Sequence, residues 1–216
     1  MSEKKGVKET TIITLVIGCL LAAVFAASNT YSGLLSGFTV AAGIPGAIVG
    51  AGLLRGLNKK NSILNTNIVQ GMSSAGESIA SGMIYVVPAI FIIGGNVSLI
   101  EAIMAGVAGA IFGIAISSIV HNYLIVEEHG NLIFPEAMAI SETLVSTDEA
   151  GEGLKTMGIT LFLMFLGPTT LHIGFSNPDK PLYIPLIIAG ILICGTAIYF
   201  GFKGIQIIMK SLFETK

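Results

Sequence analysis

The chain has 216 residues, of which 53% are hydrophobic and only 11% charged, and its mean hydropathy is +0.85. A soluble domain carries about 25% charged residues, so this composition cannot clothe a soluble globule, and the class is integral membrane. The net charge of −2, without any basic block, gives no footprint for nucleic acid.

The chain opens with the charged stretch MSEKKGVKE, and the apolar run 11–27 ends near VFAAS, which resembles a signal-peptide cleavage site. That run is longer than the roughly 7–15 apolar residues of a signal peptide. A second apolar segment follows at once, so the first is expected to remain as a transmembrane helix. A crossing takes about 20 mostly apolar residues, and segments 11–27, 34–54, 76–94, 99–120, 156–175 and 182–208 are the candidates. A seventh stretch, YLIVEEHGNLIFPEAMAISETL at 123–144, is too polar and too interrupted by proline for a routine crossing. The expected fold class is an all-α polytopic membrane protein with about six transmembrane helices and a re-entrant or interfacial helical segment near 121–150. Residues 1–10 are then a cytoplasmic N-terminus, 11–210 the transmembrane helical domain and 211–216 a cytoplasmic tail.

Cationic residues set the expected orientation, because short cytoplasmic loops carry the excess of Lys and Arg. Lys4, Lys5 and Lys8 precede the first segment, while Arg55, Lys59 and Lys60 follow the second. Lys155 precedes the fifth segment, and Lys203, Lys210 and Lys216 lie at or beyond the end of the sixth. If 121–152 enters and leaves on one side, every one of the 11 cations except Lys180 is cytoplasmic. Both termini are therefore expected on the cytoplasmic side of the cell (inner or plasma) membrane.

Glycine pairs at four-residue spacing (Gly33/Gly37, Gly46/Gly50, Gly52/Gly56 and Gly109/Gly113) allow close helix approach in lipid. They point to a packed bundle rather than isolated spans. Pro45, Pro88 and Pro168 fall inside candidate spans, where each reads as a simple kink or as a break lining a cavity. Cys19 and Cys194 lie far apart in apolar runs and read as small buried hydrophobes.

Two stretches carry polar side chains that need an explanation. In NTNIVQGMSSAGESIASG (65–82), Asn67, Gln70, Ser74, Glu77/Ser78 and Ser81 recur at helical spacing, with Ile68, Val69, Met72 and Ile79 over much of the rest. Facing lipid, such a stripe is costly and its carboxylate more so. It faces a bundle interior or water-filled path, or it belongs to a cytoplasmic amphipathic helix that joins the membrane only after Glu77. The unbroken run into SGMIYVVPAIFIIGG favours the first reading.

In 123–144 the adjacent Glu127, Glu128 and His129 point about 100° apart on a helix, which is poor spacing for metal ligands. His121 and His129 lie eight apart rather than four, so no metal site is expected. Neither a nucleophile–base order nor a Gly-rich phosphate loop supports an enzyme. As a transport element, Pro135 starts a helix with Glu136 in its first turn, where the helix dipole favours an anion. Glu142 lies six residues on, near an acidic loop. Glu127 and Glu128 are expected to be solvated while Glu136 reaches inward. His172, near a membrane boundary, reads as a packing histidine or a proton relay.

Three stretches, NTYSGLLSGFTVAAGIPGAI (29–48), NIVQGMSSAGESIASG (67–82) and LIVEEHGNLIFPEAMAISETL (124–144), resemble in order the N-terminal part of the OPT family, the oligopeptide and yellow-stripe-like transporters. The resemblance runs from about residue 11 to at least 165. It implies a proton-coupled secondary transporter of small peptides or metal chelates, with two related halves around the substrate and no cofactor. Family members usually place Gly after FPE, where Ala137 and Met138 stand here. Family chains are also much longer, which implies a partner half or self-assembly to complete the transporter. Asn67, Gln70, Ser74, Ser81, Glu77, Glu127, Glu128, Glu136, Glu142 and His172 are the candidate substrate or proton pathway. The expected partners are the peptide or chelate substrate, protons and membrane lipid. The alternative is a non-transporting membrane regulatory subunit or a truncated remnant of such a transporter.

Overall fold

The structure, a computed structural model, describes residues 10–57, 62–128, 131, 132, 134–149 and 151–213. His129 and the N-terminal Lys4, Lys5 and Lys8 fall outside the described residues, as do Lys59, Lys60 and Lys216. The described chain is all-α: α1 (Ile12–Ser36), α2 (Gly43–Leu57), α3 (Ile63–Ile92), α4 (Leu99–His121), α5 (Pro135–Glu149), α6 (Gly151–Phe175) and α7 (Tyr183–Phe213). A π-helical segment, Asn122–Glu127, continues α4 directly.

Five of these helices are long and apolar enough to cross a membrane: α1, α3, α4 with its π-helical continuation, α6 and α7. The chain is thus a multi-pass membrane protein. The expected second crossing at 34–54 is different. Its first residues end α1, residues 37–42 are non-helical, and α2 is a 15-residue helix. At about 1.5 Å per residue, α2 is shorter than a hydrocarbon core of about 30 Å. The third segment starts earlier than expected, since α3 runs for 30 residues from Ile63 and carries the whole polar stretch. In the segment near 121–150, residues 122–127 continue α4, and Pro135 begins the 15-residue α5 with Glu136 in its first turn.

The local causes are ordinary backbone chemistry. Thr11 N–H donates to Thr14 Oγ1 (2.9 Å) at the start of α1. Ser98 and Glu101 form a reciprocal capping box at the start of α4, with Ser98 N–H 2.8 Å from Glu101 Oε2. Gly37 takes the left-handed conformation (φ 76°) and its N–H returns to Gly33 O at 2.9 Å, which stops α1. Gly94 (φ 83°) does the same after α3. Pro88 and Pro168 sit inside α3 and α6, which continue through them.

The contacts divide into two compact units, with α2, α3 and α5 contributing residues to both. In the unit made of Thr10–Gly46 and Ile68–Ile140, α1 and α3 meet backbone to backbone. A Cβ on Gly18 would lie 2.5 Å from Met72 Sδ, and one on Gly76 would lie 2.6 Å from Ala22 O. Ile17, Leu21, Ala42, Val69, Ala80 and Ile84 are its buried apolar residues. By contrast, α4 buries none of its residues.

The other unit comprises Ala47–Asn67 and the chain from Ser141. There α6 and α7 form a close pair: a Cβ on Gly167 would lie 2.6 Å from Cys194 Sγ, and one on Gly190 would lie 2.6 Å from Leu171 Cγ. Gly52, Gly56, Gly109 and Gly113, by contrast, have nothing within 4 Å of such a Cβ. Cys194 is half-buried, but Cys19 is exposed, because it lies off the α1 face that packs on α3.

Candidate functional site

The break between α1 and α2 is held by side chains from α1 and α3. Asn29, 5% exposed, donates from Nδ2 to Val40 O (2.9 Å) and accepts from Val40 N–H at Oδ1 (3.0 Å). One amide thus satisfies both backbone groups of an unwound residue, the requirement for irregular backbone inside a membrane. Ser32 Oγ donates to Phe38 O at 3.3 Å. At the end of the break, Ala42 N–H points to Glu77 Oε2 at 3.5 Å, and Ala42 O accepts from Gly46 N–H at 2.7 Å as α2 begins.

Glu77 is 7% exposed, and Ser81 Oγ donates to its Oε1 at 2.9 Å. A Cβ on Gly46 would collide with Ser73 Oγ, and one on Gly43 would lie 3.6 Å from Gln70 Nε2. The start of α2 therefore lies against Gln70, Ser73 and Glu77, and the positive end of α2 meets a carboxylate. Unwound backbone and the N-terminal end of a helix thus share a site with a buried acid.

Burial on α3 divides the residues of the expected stripe. The buried row is Thr66, Val69, Gln70, Ser73, Glu77, Ala80 and Ile84. Gln70 and Glu77 are on it, Ser74 and Ser81 flank it half-buried, and Asn67 and Ser78 are exposed. Ser78 instead lines a groove of about 1030 Å³ with α4, on the opposite side of α3 from the Glu77 row.

The acidic stretch after α4 does not join Glu77 through any hydrogen bond or ion pair among the described residues. Asn122 Nδ2 donates to Glu127 Oε1 (3.3 Å) and Asn131 Nδ2 to Glu128 Oε2 (3.1 Å). Glu127 is exposed and Glu128 half-buried. Glu136 is exposed too, so within this chain it does not turn inward: it lies in the first turn of α5 on a solvent-accessible face. Glu142 is half-buried on α5 and His172 is exposed in the last turn of α6.

Two features escape sequence reading. Asn29 gives one signal, an amide inside an apolar run. Arg55, read only as a topology marker, donates from its guanidinium to Thr147 O in the last turn of α5, so a cation from the end of α2 meets the negative end of α5. Thr143, Ser146 and Thr147 are buried in the same unit, as is Asn65, whose Oδ1 has no hydrogen-bond partner.

The family model for OPT oligopeptide transporter protein matches residues 9–175. A second model, for a family of unknown function (DUF6095), matches residues 147–215. No curated protein and no solved structure matches the chain.

Proposed function

This chain belongs to the OPT oligopeptide transporter family, and from that premise we propose that it is a proton-coupled secondary transporter of small peptides or metal chelates. Its path is completed by a second transporter half or by further copies of itself. It acts as a transporter, not an enzyme, in the cell membrane with both termini in the cytoplasm. The cation distribution supports that orientation. The non-helical residues 37–42 and the 15 residues of α2 together supply length for a sixth crossing.

The observation that carries the proposal is Glu77. It is a carboxylate, nine-tenths buried on a membrane-crossing helix, set at the mouth of a broken helix rather than paired with a cation among the described residues. Ionisable groups inside membranes are costly and mark ion pathways and proton relays. Gln70, Ser73 and Ser81 extend the polar surface along the same helix.

The test is uptake into proteoliposomes holding this chain, with labelled short peptides and metal chelates offered with and without an inward proton gradient. Gradient-driven uptake is expected, and Glu77→Gln is expected to abolish it at normal expression. Normal uptake by that variant removes Glu77 from the mechanism. No uptake of any substrate by the wild-type chain, alone or with a partner half, favours the regulatory or remnant reading.

A further inference from the structure

The Glu77 seam is closed by close packing, so it leaves open where a solute sits. We propose that the groove between α3 and α4 is a binding site for an amide-bearing solute with at most one carboxylate, a short peptide being the simplest case. This rests on the transporter reading above and moves the solute site to the side of α3 opposite Glu77.

Size and shape come first. The groove is open rather than enclosed and mostly apolar in lining, and its volume of about 1030 Å³ is at the upper end of the roughly 300–1,000 Å³ of ligand sites. Its lining includes the small residues Ala75, Ala110 and Gly113, and a Cβ on Gly113 would meet nothing within 4 Å. Room is therefore built in on both helices.

Chemistry comes second. Ser78 from α3 and Ser117, Ser118 and His121 from α4 line the same groove. The Ser118 hydroxyl donates back to Ile114 O at 2.8 Å, which leaves its oxygen as an acceptor. α4 buries no residue in its unit, so packing within the unit does not account for these polar groups. Hydrocarbon would offer an imidazole and hydroxyls no partner. Among the described residues no Asp, Glu, Lys or Arg lines the groove, which disfavours a bare metal ion or a strongly cationic solute. Hydroxyls match amide N–H and C=O groups, and His121 is the single group suited to a carboxylate.

A third observation is independent of the groove. His121 is followed at once by six residues of π-helix. Such segments are rare and occur frequently at functional sites. Here the change of pitch falls directly after the polar end of the groove.

The test uses the full chain in proteoliposomes with Cys19→Ala and Cys194→Ala, so that Ser117→Cys is the only thiol. A water-soluble maleimide is expected to label it, and millimolar trialanine is expected to slow labelling at least fivefold. Gly113→Leu, which fills the groove, is expected to remove that protection. Gly109→Leu, equally open in packing but outside the lining, is expected to keep it. Trialanine uptake is measured in parallel. Labelling that trialanine leaves unchanged overturns the groove. Uptake in that case leaves the transporter reading standing, and its absence removes both. Protection without uptake supports the groove and counts against transport by this chain alone. A thiol that resists maleimide overturns the proposal; ready disulfide formation with the same position of a second copy would assign the face to a helix–helix contact.

Discussion

Asn29 and Val40 are joined as two residues of a β-ladder are, by one N–H···O bond in each direction at 2.9 and 3.0 Å. Here, though, one partner is a side chain on a helix. This pairing lets the chain leave the helical state at Gly37 and re-enter it at Gly43 without abandoning the Val40 backbone groups. The break in turn delivers Ala42 N–H to Glu77. The N-terminus of α2 is thereby set against an acid.

Replacing Asn29 by Leu keeps the volume and removes both bonds. The Val40 N–H and C=O then lose their partners, a cost of roughly 1–3 kcal/mol. The thermal midpoint in detergent is expected to fall by several degrees, with faster proteolysis at 37–42. Thr30→Val, which removes only an exposed bond to Ala26 O, is expected to leave both unchanged.

Two glycines of α3 give a matched pair. A Cβ on Gly76 would lie 2.6 Å from Ala22 O and 2.8 Å from Ala22 Cα, backbone atoms that cannot move aside, whereas a Cβ on Gly71 meets nothing within 4 Å. Intrinsic helix propensity favours Ala over Gly by about 1 kcal/mol at either site. Gly71→Ala is therefore expected to be neutral or stabilising. Gly76→Ala is expected to be destabilising by roughly 1–3 kcal/mol through overpacking, read as opposite shifts of the melting temperature.

What the sequence made legible follows from what hydropathy and periodicity measure. Long apolar runs located α1, α4, α6 and α7, and Pro135 located the start of α5. The break at 37–42 was hidden because residues 34–54 are uncharged and mostly apolar, and a hydropathy window does not distinguish a helix from an extended strand of the same residues. On α3, spacing alone does not decide which polar residues are buried. Ser73 and Ser74 are adjacent serines about 100° apart, and only the packing of Gly46 on Ser73 decides between them. The partner of Arg55 lies 92 positions away, a distance over which spacing carries no information. The polar lining of the α3–α4 groove was hidden in a helix with no buried face to set its phase.

Arg55 ends α2 and reaches Thr147 O, so it should act on stability through a backbone acceptor. Arg55→Met keeps the apolar stem but loses the donor fork and the cation at the end of α5. A loss of roughly 1–3 kcal/mol is expected, as for hydrogen bonds involving charged groups. Arg55→Lys should recover part of it, since the charge returns without the planar donor geometry. Thermal unfolding of the three proteins in the same detergent checks the order Arg, Lys, Met.

Glu77 holds two roles that substitution can separate. Gln has nearly the same shape and keeps an oxygen able to accept from Ala42 N–H or Ser81 Oγ, so Glu77→Gln should fold with a change within about 1 kcal/mol. Leu keeps neither side-chain acceptor and leaves Ala42 N–H facing an apolar side chain, at roughly 1–3 kcal/mol, while the Ser81 hydroxyl keeps its bond to Glu77 O (3.0 Å). If Glu77 only pinned the start of α2, Gln would preserve both stability and gradient-driven uptake while Leu lost both. If it also carries the proton, Gln preserves stability and loses uptake, because an amide cannot exchange a proton at any working pH. Melting curves and uptake on the same two preparations read the roles independently, and the second pattern is the one expected.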